Sequence, residues 1–321
     1  MPLISSEDYK PPLILRSGQI NTIYPYLFRK KQYVGYTRER IITPDDDFFD
    51  VDWVKNGNKR LAIMLHGLEG SSSSQYIIGT SAALIKNGWD VAAINFRSCS
   101  GSMNNTIAMY HSGFTSDVHY FISQKHVDYD EIFLCGFSLG GNAIMKYLGD
   151  QKYSLNEKIK ASAGTSVPCD LEGGSIMIKK MENTLYERNF LKSLTQKIKL
   201  KHRIHPDKID VSNLNKIKTL WDFDEYYTAS LHGFTDARDY YNQCSSLQFL
   251  KNIKIPSLII NALDDTFLAK TSYPVKIAEN SNFLHLMTPK YGGHVGFATF
   301  DSPNYWNENK ILQFFSAHSQ F

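Results

Sequence analysis

A serine between two glycines, in the Gly-x-Ser-x-Gly pattern at residues 136–140, is the stretch of this sequence best suited to covalent chemistry. An apolar run at 132–134 precedes it and a segment with helical spacing at 142–148 follows it. This order predicts a buried strand that turns sharply into a helix at Ser138 and lifts the hydroxyl above a sheet, where it could act as a nucleophile. An ordinary Gly-rich turn, with Ser138 as a helix N-cap, is the alternative.

A nucleophilic serine needs a base that accepts its proton and a carboxylate that orients the base, and candidates for both follow Ser138 in the chain. His294 lies in a Gly-rich loop after the last predicted strand and is the favoured base, with a plain surface-loop histidine as the alternative. Asp264 and Asp265 end an earlier strand. Asp265 is favoured as the acid because a polar and then a large apolar residue follow it and could seat its loop, but Asp264 stays open as the alternative.

The charge that develops on a carbonyl oxygen during acyl transfer needs two backbone N–H donors. We expect one from Leu139, the residue after the serine, and the other from Leu68, in the loop after an apolar strand at 61–65. Two glycines in that loop would let it fold back toward the serine. His66 begins the loop, and we expect it to brace the loop by hydrogen bonding rather than to act as a base.

The elements around these residues alternate between strand and helix. Antiparallel strands are predicted at 33–42 and 48–54, and short apolar runs of the kind buried on both faces of a sheet follow. The predicted buried strands are 61–65, 91–96, 132–134, 161–168, 257–263 and 283–287. Together they predict an α/β fold with a mostly parallel central sheet, an antiparallel N-terminal edge and helices on both faces. Ligands bind such sheets beyond the carboxyl ends of the strands.

The alternation stops between residues 170 and 241, where the pattern becomes helical and rich in lysine. We therefore predict a helical cap insertion at 170–241, a core at 31–169 and 242–321, and a polar lead-in at 1–30 that lies over the surface. The lysines are interpreted mainly as a solvated helix face, with contact to anionic lipid headgroups as the less favoured alternative. They are Lys179, Lys180, Lys192, Lys197, Lys199, Lys201 and Lys208.

Composition and motifs argue against several other classes. The chain has 321 residues, 42% of them hydrophobic and 21% charged, which is typical of a globular protein, and its net charge of +3 is too small to indicate nucleic-acid binding. No apolar run approaches the length of a membrane-spanning helix. No dinucleotide or phosphate-binding glycine motif is present, so no cofactor is predicted. His202 and His205 could share a helix face, but the basic residues around them would repel a cation, so no metal is predicted.

The N-terminus, from Met1 onward, lacks the basic and apolar regions of a signal peptide. The four cysteines are scattered and form no Cys-x-x-Cys pair. Both observations favour reduced thiols and a cytoplasmic location. Nothing in the sequence indicates an oligomeric state.

Several blocks, spread from about Tyr33 to Phe315, together resemble the YheT-like branch of the α/β-hydrolases, which includes bacterial hydrolases and eukaryotic abhydrolase-domain lipases. The blocks are HGLEGS at 66–71, NFRSCSG at 95–101, YHSG at 110–113, GFSLGGN at 136–142, LHGF at 231–234, YY at 240–241, NALDD at 261–265 and GGHVGF at 292–297. Two positions depart from the family pattern: Thr266 stands where proline is usual, and Ser98 where glycine is usual.

The resemblance implies an α/β-hydrolase fold with a triad of Ser138, Asp265 and His294. It also implies hydrolysis of carboxylic esters, either short- to medium-chain acyl esters or acylglycerol and other lipid esters. A thioesterase or phospholipase of the same fold is one alternative, and a hydrolase fold kept as a binding protein with an inert site is another. Peripheral contact with a membrane is compatible with the lipid-ester hypothesis.

Overall fold

The computed structural model describes residues 3–30 and 32–321, and within them eight strands form one sheet in the order β1-β2-β4-β3-β5-β6-β7-β8. The strands are β1 Thr37–Ile42, β2 Phe48–Val54, β3 Arg60–Leu65, β4 Asp90–Asn95, β5 Glu131–Phe137, β6 Ile159–Thr165, β7 Ser257–Ile260 and β8 Leu284–Met287. Strand β2 pairs with β1 and β4 in antiparallel fashion, and every other pair is parallel. The predicted parallel sheet with an antiparallel N-terminal edge is therefore confirmed.

Helices cover both faces of this sheet. They are α1 Gly18–Phe28, α2 Gln75–Lys86, α3 Ser116–Lys125, α4 Leu139–Gly149, α5 Leu171–Ile178, α6 Thr184–Ile204, α7 Leu220–Phe223, α8 Ala229–His232, α9 Ala237–Cys244, α10 Val275–Glu279 and α11 Trp306–Ala317. A π-helical segment, Asp224–Thr228, joins α7 to α8. No helix within residues 3–30 and 32–321 is long and apolar enough to cross a lipid bilayer.

The central strands are buried on both sides because their alternate side chains enter two different layers. On β3, Ile63 packs in the layer that contains side chains of α3 and α4, whereas Met64 packs in the layer that contains side chains of α2 and α11. Successive residues of a strand point to opposite faces, so a strand with helices on both sides needs an apolar residue at every position.

Helices α5 to α9 all lie between β6 and β7, where the helical cap insertion was predicted. The interpretation of its lysines as solvated is wrong for two of them. The Lys197 side chain is 14% exposed and pairs with Glu69, and Lys201 is fully buried with its ammonium 2.8 Å from the carbonyl oxygen of Asn104. These two lysines fasten the longest cap helix, α6, to loops of the core.

The N-terminal segment also differs from the prediction of a polar lead-in that lies over the surface. It contains the helix α1, and both Leu15 and Asn21 are fully buried. Sequence periodicity does not reveal this helix because the side it buries carries Gly18, Asn21 and Pro25 rather than large apolar residues. Just after the helix, Arg29 forms a bidentate ion pair with Glu308 of α11, with nitrogen–oxygen distances of 2.5 and 2.8 Å.

The Arg29–Glu308 pair is buried, with side chains 7% and 1% exposed, so we expect it to be costly to break. Arg29→Met should lower the free energy of unfolding by about 3–5 kcal/mol, because Glu308 would keep a buried charge without a partner. Chemical denaturation measures the loss. The control is Arg238→Met, since the Arg238 side chain is 66% exposed beside Glu172 and its pair should contribute at most about 1 kcal/mol. Equal losses in the two variants would contradict this prediction.

Candidate active site

The corner between β5 and α4 holds Ser138 in a backbone conformation that side chains rarely adopt, with φ 52° and ψ −120°. Its glycine neighbours are required by close backbone contacts. A Cβ atom on Gly136 would lie 2.4 Å from the carbonyl oxygen of Gly140, and one on Gly140 would lie 2.5 Å from that of Leu65. The predicted strand–serine–helix turn is therefore present, and the strain at Ser138 is sustained by the strands packed around it.

Three side chains that are distant in the chain meet at this corner. His294 Nε2 lies 2.9 Å from Ser138 Oγ, and His294 Nδ1 lies 2.9 Å from Asp265 Oδ2. The Asp265 side chain is fully buried and that of His294 is 11% exposed. The backbone N–H of Phe267 donates to Asp265 Oδ1 at 2.9 Å, and the Phe267 ring stacks on the imidazole with centroids 4.3 Å apart. The carboxylate and the imidazole are thus held in one orientation.

Two hydroxyl groups that the sequence analysis did not single out hold the loop of His294. Thr22 of α1 accepts the backbone N–H of His294 at 2.8 Å, and Ser166, just after β6, accepts that of Val295 at 2.9 Å. Both residues lie far from the histidine in the sequence, and neither belongs to a recognisable motif. Helix α1 is therefore part of the scaffold of the site.

Asp264, the alternative acid, makes no hydrogen bond to His294 among the residues that the structure describes. Its Oδ1 accepts the backbone N–H of Gly293 at 2.8 Å, while its buried Oδ2 has no hydrogen-bond partner within residues 3–30 and 32–321. Burial raises the pKa of Asp264 to about 6, and the charge of Asp265 beside it acts in the same direction. The structure thus brings Asp265, and not Asp264, to the imidazole.

The loop after β3 is braced by His66. Its Nε2 accepts the backbone N–H of Phe96 at 3.1 Å, so the proton must sit on Nδ1, which lies 2.7 Å from the carbonyl oxygen of Gly67. Burial lowers the pKa of His66 to about 3, so the ring is neutral near pH 7. This is the hydrogen-bonding role expected for His66.

The same loop leaves one backbone N–H group free. The N–H of Gly67 donates to the Tyr76 hydroxyl at 3.0 Å and that of Glu69 to the Tyr110 hydroxyl at 2.8 Å, whereas the N–H of Leu68 between them has no partner in the part of the chain that the structure describes. Leu139 begins α4, and the first N–H groups of a helix lack partners within the helix. Leu68 and Leu139 line the same cavity as Ser138.

A buried cluster around Glu69 ties this loop to the cap. The Glu69 carboxylate accepts hydrogen bonds from the Tyr110 hydroxyl at 2.7 Å, from the Lys197 ammonium at 2.8 Å and from the Ser193 hydroxyl. Ser193 and Lys197 stand one turn apart on α6, and Glu69 has a left-handed φ of 54°. The position of the cap helix and the shape of the loop beside Leu68 are therefore linked.

A cavity of about 140 Å³ lies over Ser138. Its walls are mostly apolar: core loops contribute side chains such as Met109 and Phe267, and the cap contributes Leu171, Phe190 and Leu220 among others. The cap therefore forms much of the wall of the space in which a substrate would lie. A long apolar group is the ligand that such walls favour.

Burial disfavours the charged forms of three polar side chains that line this cavity. Burial lowers the pKa of His232 to about 4 and holds that of His111 well below its ordinary value. Asp224, which the sequence analysis did not single out, accepts hydrogen bonds from Thr228 at 2.6 Å and Tyr241 at 2.7 Å, and burial raises its pKa to about 6. The cavity therefore offers no strong positive charge to an anionic ligand.

The structure does not assemble a metal site from the two cap histidines. A ring nitrogen of His202 lies 2.6 Å from the carbonyl oxygen of Ile209, and one of His205 lies 2.6 Å from that of Asn105. Within residues 3–30 and 32–321, no three His, Cys, Asp or Glu side chains are grouped so that they could hold a metal ion.

The positions that depart from the family pattern have structural explanations. Ser98 has a left-handed φ of 64°, which explains why glycine suits this position, and its hydroxyl lies 2.5 Å from Asn104 Oδ1. The hydroxyl of Thr266 forms two hydrogen bonds. It donates to Asn183 Oδ1 of the cap at 2.8 Å and accepts from the side-chain amide of Gln19 in α1 at 3.0 Å. The hydroxyl of Thr266 thereby joins the acid loop to both segments, which a proline could not do.

Comparisons with known proteins agree with this architecture. A family model described as the alpha/beta hydrolase fold matches residues 63–299. The chain is 32% identical to "Putative esterase YheT" of Escherichia coli (strain K12), over 98% of this chain and 94% of that protein. It is 28% identical to phospholipase ABHD3 of Homo sapiens, over 92% of this chain and 74% of that protein. A solved esterase structure from Pyrococcus furiosus shares the fold, with a TM-score of 0.57 at 16% identity, covering 88% of this chain and 91% of that one.

The raised pKa of Asp264 predicts a pH-dependent cost to stability. Below the ordinary pKa of 3.8 this carboxyl is protonated in both the folded and the unfolded chain, but above about pH 6 the folded protein must hold a buried charge. The free energy of unfolding of Asp264→Asn, relative to the unmodified protein, should therefore rise between about pH 4 and pH 8, by on the order of 1 kcal/mol after solvent screening. Guanidinium unfolding across this range measures it, and a difference that stays constant with pH would contradict it.

Proposed function

Because the chain belongs to the α/β hydrolase fold family, and within it to the YheT-like branch, we propose that it is a serine hydrolase that cleaves carboxylic esters through Ser138, His294 and Asp265. The named relatives support ester hydrolysis in general. The observation that carries the finer assignment is the continuous line of hydrogen-bond contacts, 2.9 Å from Ser138 to His294 and 2.9 Å from His294 to Asp265.

In the first half of the reaction, Ser138 Oγ attacks the ester carbonyl carbon while its proton passes to His294 Nε2. Asp265 accepts the Nδ1 proton in a hydrogen bond, which fixes the tautomer and stabilises the imidazolium that forms. The backbone N–H groups of Leu68 and Leu139 donate to the carbonyl oxygen as it becomes negative. The tetrahedral intermediate then collapses, the carbon–oxygen bond to the alcohol breaks, and His294 gives its proton to the departing alcohol.

In the second half, water replaces the alcohol and the acyl-enzyme ester on Ser138 is hydrolysed. His294 takes a proton from the water as its oxygen attacks the acyl carbon, and the same two N–H groups hold the second oxyanion. When this intermediate collapses, the bond to Ser138 Oγ breaks and the serine recovers its proton from His294. The products are a carboxylic acid and an alcohol, and the reaction consumes water but no cofactor.

The substrate proposed for this site is an uncharged acyl ester, either a short- to medium-chain ester or an ester of an acylglycerol or other lipid. The apolar walls of the cavity would accept the acyl chain, and burial keeps His111 and His232 neutral. Transfer of each methylene group from water to such walls contributes about 0.8 kcal/mol. On p-nitrophenyl esters of graded length, kcat/KM should therefore rise with chain length until the chain fills the cavity, and a flat profile would contradict this assignment.

A fluorophosphonate probe tests whether Ser138 is a nucleophile. The folded protein should become covalently labelled, and Ser138→Ala should abolish labelling, because the probe reacts only with an activated serine hydroxyl. Ser175→Ala is the matched control, since Ser175 lines the same cavity outside the proposed triad, and it should still be labelled. Failure of the folded, unmodified protein to react would favour the alternative of a hydrolase fold that only binds its ligand.

A pair of asparagine substitutions tests the assignment of the acid. Asp265→Asn should lower kcat by about 10⁴-fold with little change in KM, because the amide favours the wrong imidazole tautomer. Asp264→Asn should stay within about tenfold of the unmodified enzyme, since Asp264 is bonded to Gly293 rather than to the imidazole. Steady-state kinetics on a soluble ester measures both variants, and the reverse order of effects would assign the role to Asp264 instead.

A further inference from the structure

Exposed apolar side chains are concentrated in one short part of the chain. Of the twenty large hydrophobic residues that are exposed in the described part of the protein, eight fall between residues 13 and 33. They are Leu13, Ile14, Ile20, Ile23, Tyr26, Leu27, Phe28 and Tyr33. Single exposed apolar residues are ordinary, but a contiguous group of this kind marks an interaction surface.

Helix α1 exposes large apolar residues and buries small or polar ones, which is the reverse of the usual amphipathic arrangement. It buries Gly18, Asn21 and Pro25, and it leaves Ile20, Ile23 and Leu27 exposed at spacings of three and four residues, which places them on one outward stripe. A helix stabilised only by packing on its own domain would bury its apolar stripe instead. The outward stripe is therefore not explained by the fold of this chain alone.

The exposed group continues onto the cap. The Gln19 side-chain amide donates to Asn183 Oδ1 at 2.9 Å, which brings α1 against the segment that carries Met181, 92% exposed, and Leu185, 71% exposed. We call the exposed apolar side chains of residues 13–28, together with Met181 and Leu185, the α1 surface.

The charges around the α1 surface are mostly positive, with the exposed Glu182 beside Met181 as an exception. The sequence from residue 9 to residue 38 contains no aspartate or glutamate. Lys10, Arg16 and Lys30 are exposed there, whereas Arg29 and Arg38 are paired with Glu308 and Asp52. On the cap side, Lys179 and Lys180 are exposed beside Met181. A second copy of this chain docked face to face would bring these like charges together, which disfavours a symmetric dimer. A partner with an apolar interior and an anionic surface fits both features.

We propose that the α1 surface docks on anionic lipid bilayers, with its apolar side chains in the acyl boundary and the basic residues on the headgroups. Tyr26 and Phe28 supply aromatic rings of the type that occupies this boundary. The opposite side of α1 holds the His294 loop through Thr22, so a docked bilayer lies about one helix diameter, roughly 10 Å, from that loop. Docking is a binding property, separate from the hydrolysis proposed above.

Co-sedimentation with vesicles tests the proposal. The full chain should bind vesicles made of equal parts phosphatidylcholine and phosphatidylglycerol, and bind vesicles of phosphatidylcholine alone at least about tenfold more weakly. Tyr26→Ser combined with Leu27→Ser should lower the partition coefficient on the anionic vesicles by about tenfold, because less apolar area enters the bilayer. Ile42→Ser combined with Val127→Ser is the matched control, since both residues are exposed and lie outside the α1 surface, and it should bind normally.

A second pair of variants tests the charges. Lys10→Glu combined with Lys30→Glu should lower binding to the anionic vesicles by about tenfold or more. Lys59→Glu combined with Lys86→Glu makes an equal change of charge at exposed sites elsewhere and should lower binding much less.

All variants should hydrolyse a soluble p-nitrophenyl ester like the unmodified protein, so loss of docking and loss of hydrolysis are distinguishable. Absence of vesicle binding by the unmodified protein, or equal losses in test and control pairs, overturns the proposal. A dimer in solution that Tyr26→Ser and Leu27→Ser disrupt, without vesicle binding, would assign the α1 surface to a second copy instead.

Discussion

The close approach of three backbone segments at Ser138 is the constraint on which the rest of the structure depends. The chain can turn from β5 into α4 only because Gly136 and Gly140 leave room for each other and for the end of β3. That contact fixes the serine relative to the loop after β3, and so relative to the Leu68 N–H group. The strained φ of Ser138 persists because parallel strands on both sides of β5 leave the corner no room to relax.

The remaining parts of the site come from loops that specific polar contacts hold in place. Thr22 and Ser166 hold the loop of His294, and Phe267 holds both the acid and the ring. Buried ion pairs and hydrogen bonds perform the same task farther out. Arg29 joins the end of α1 to Glu308 of α11, so the helix that supports the histidine loop is anchored at its far end. Polar contacts suit this task because, unlike apolar packing, they fix direction as well as distance.

The sequence alone predicts the structure of those parts of the protein whose residues repeat with a regular period or form a motif of fixed spacing. The parallel sheet could be predicted because two-sided burial demands continuous apolar runs. The turns that carry Ser138 and His294 could be located because glycines mark them. The sequence favours Asp265 but leaves Asp264 open, because adjacent carboxylates differ only in the direction that the folded loop gives them. Helix α1 could not be found by periodicity because its buried side has no large apolar residue. Lys197 and Lys201 resembled solvent-facing lysines because their partners, a glutamate and a backbone carbonyl, lie about a hundred residues away.

The attachment of α6 to Glu69 has a consequence for how this protein can change. Because Ser193 and Lys197 share the carboxylate next to Leu68, the insertion is not a detachable module placed on a finished hydrolase core. An exchange of caps between relatives would leave Glu69 as a buried anion without its cation, unless the incoming cap brought equivalent donors. Diversification of the insertion is therefore expected to proceed through the side chains that line the cavity, with the two anchoring positions of α6 and the glutamate inherited as a unit.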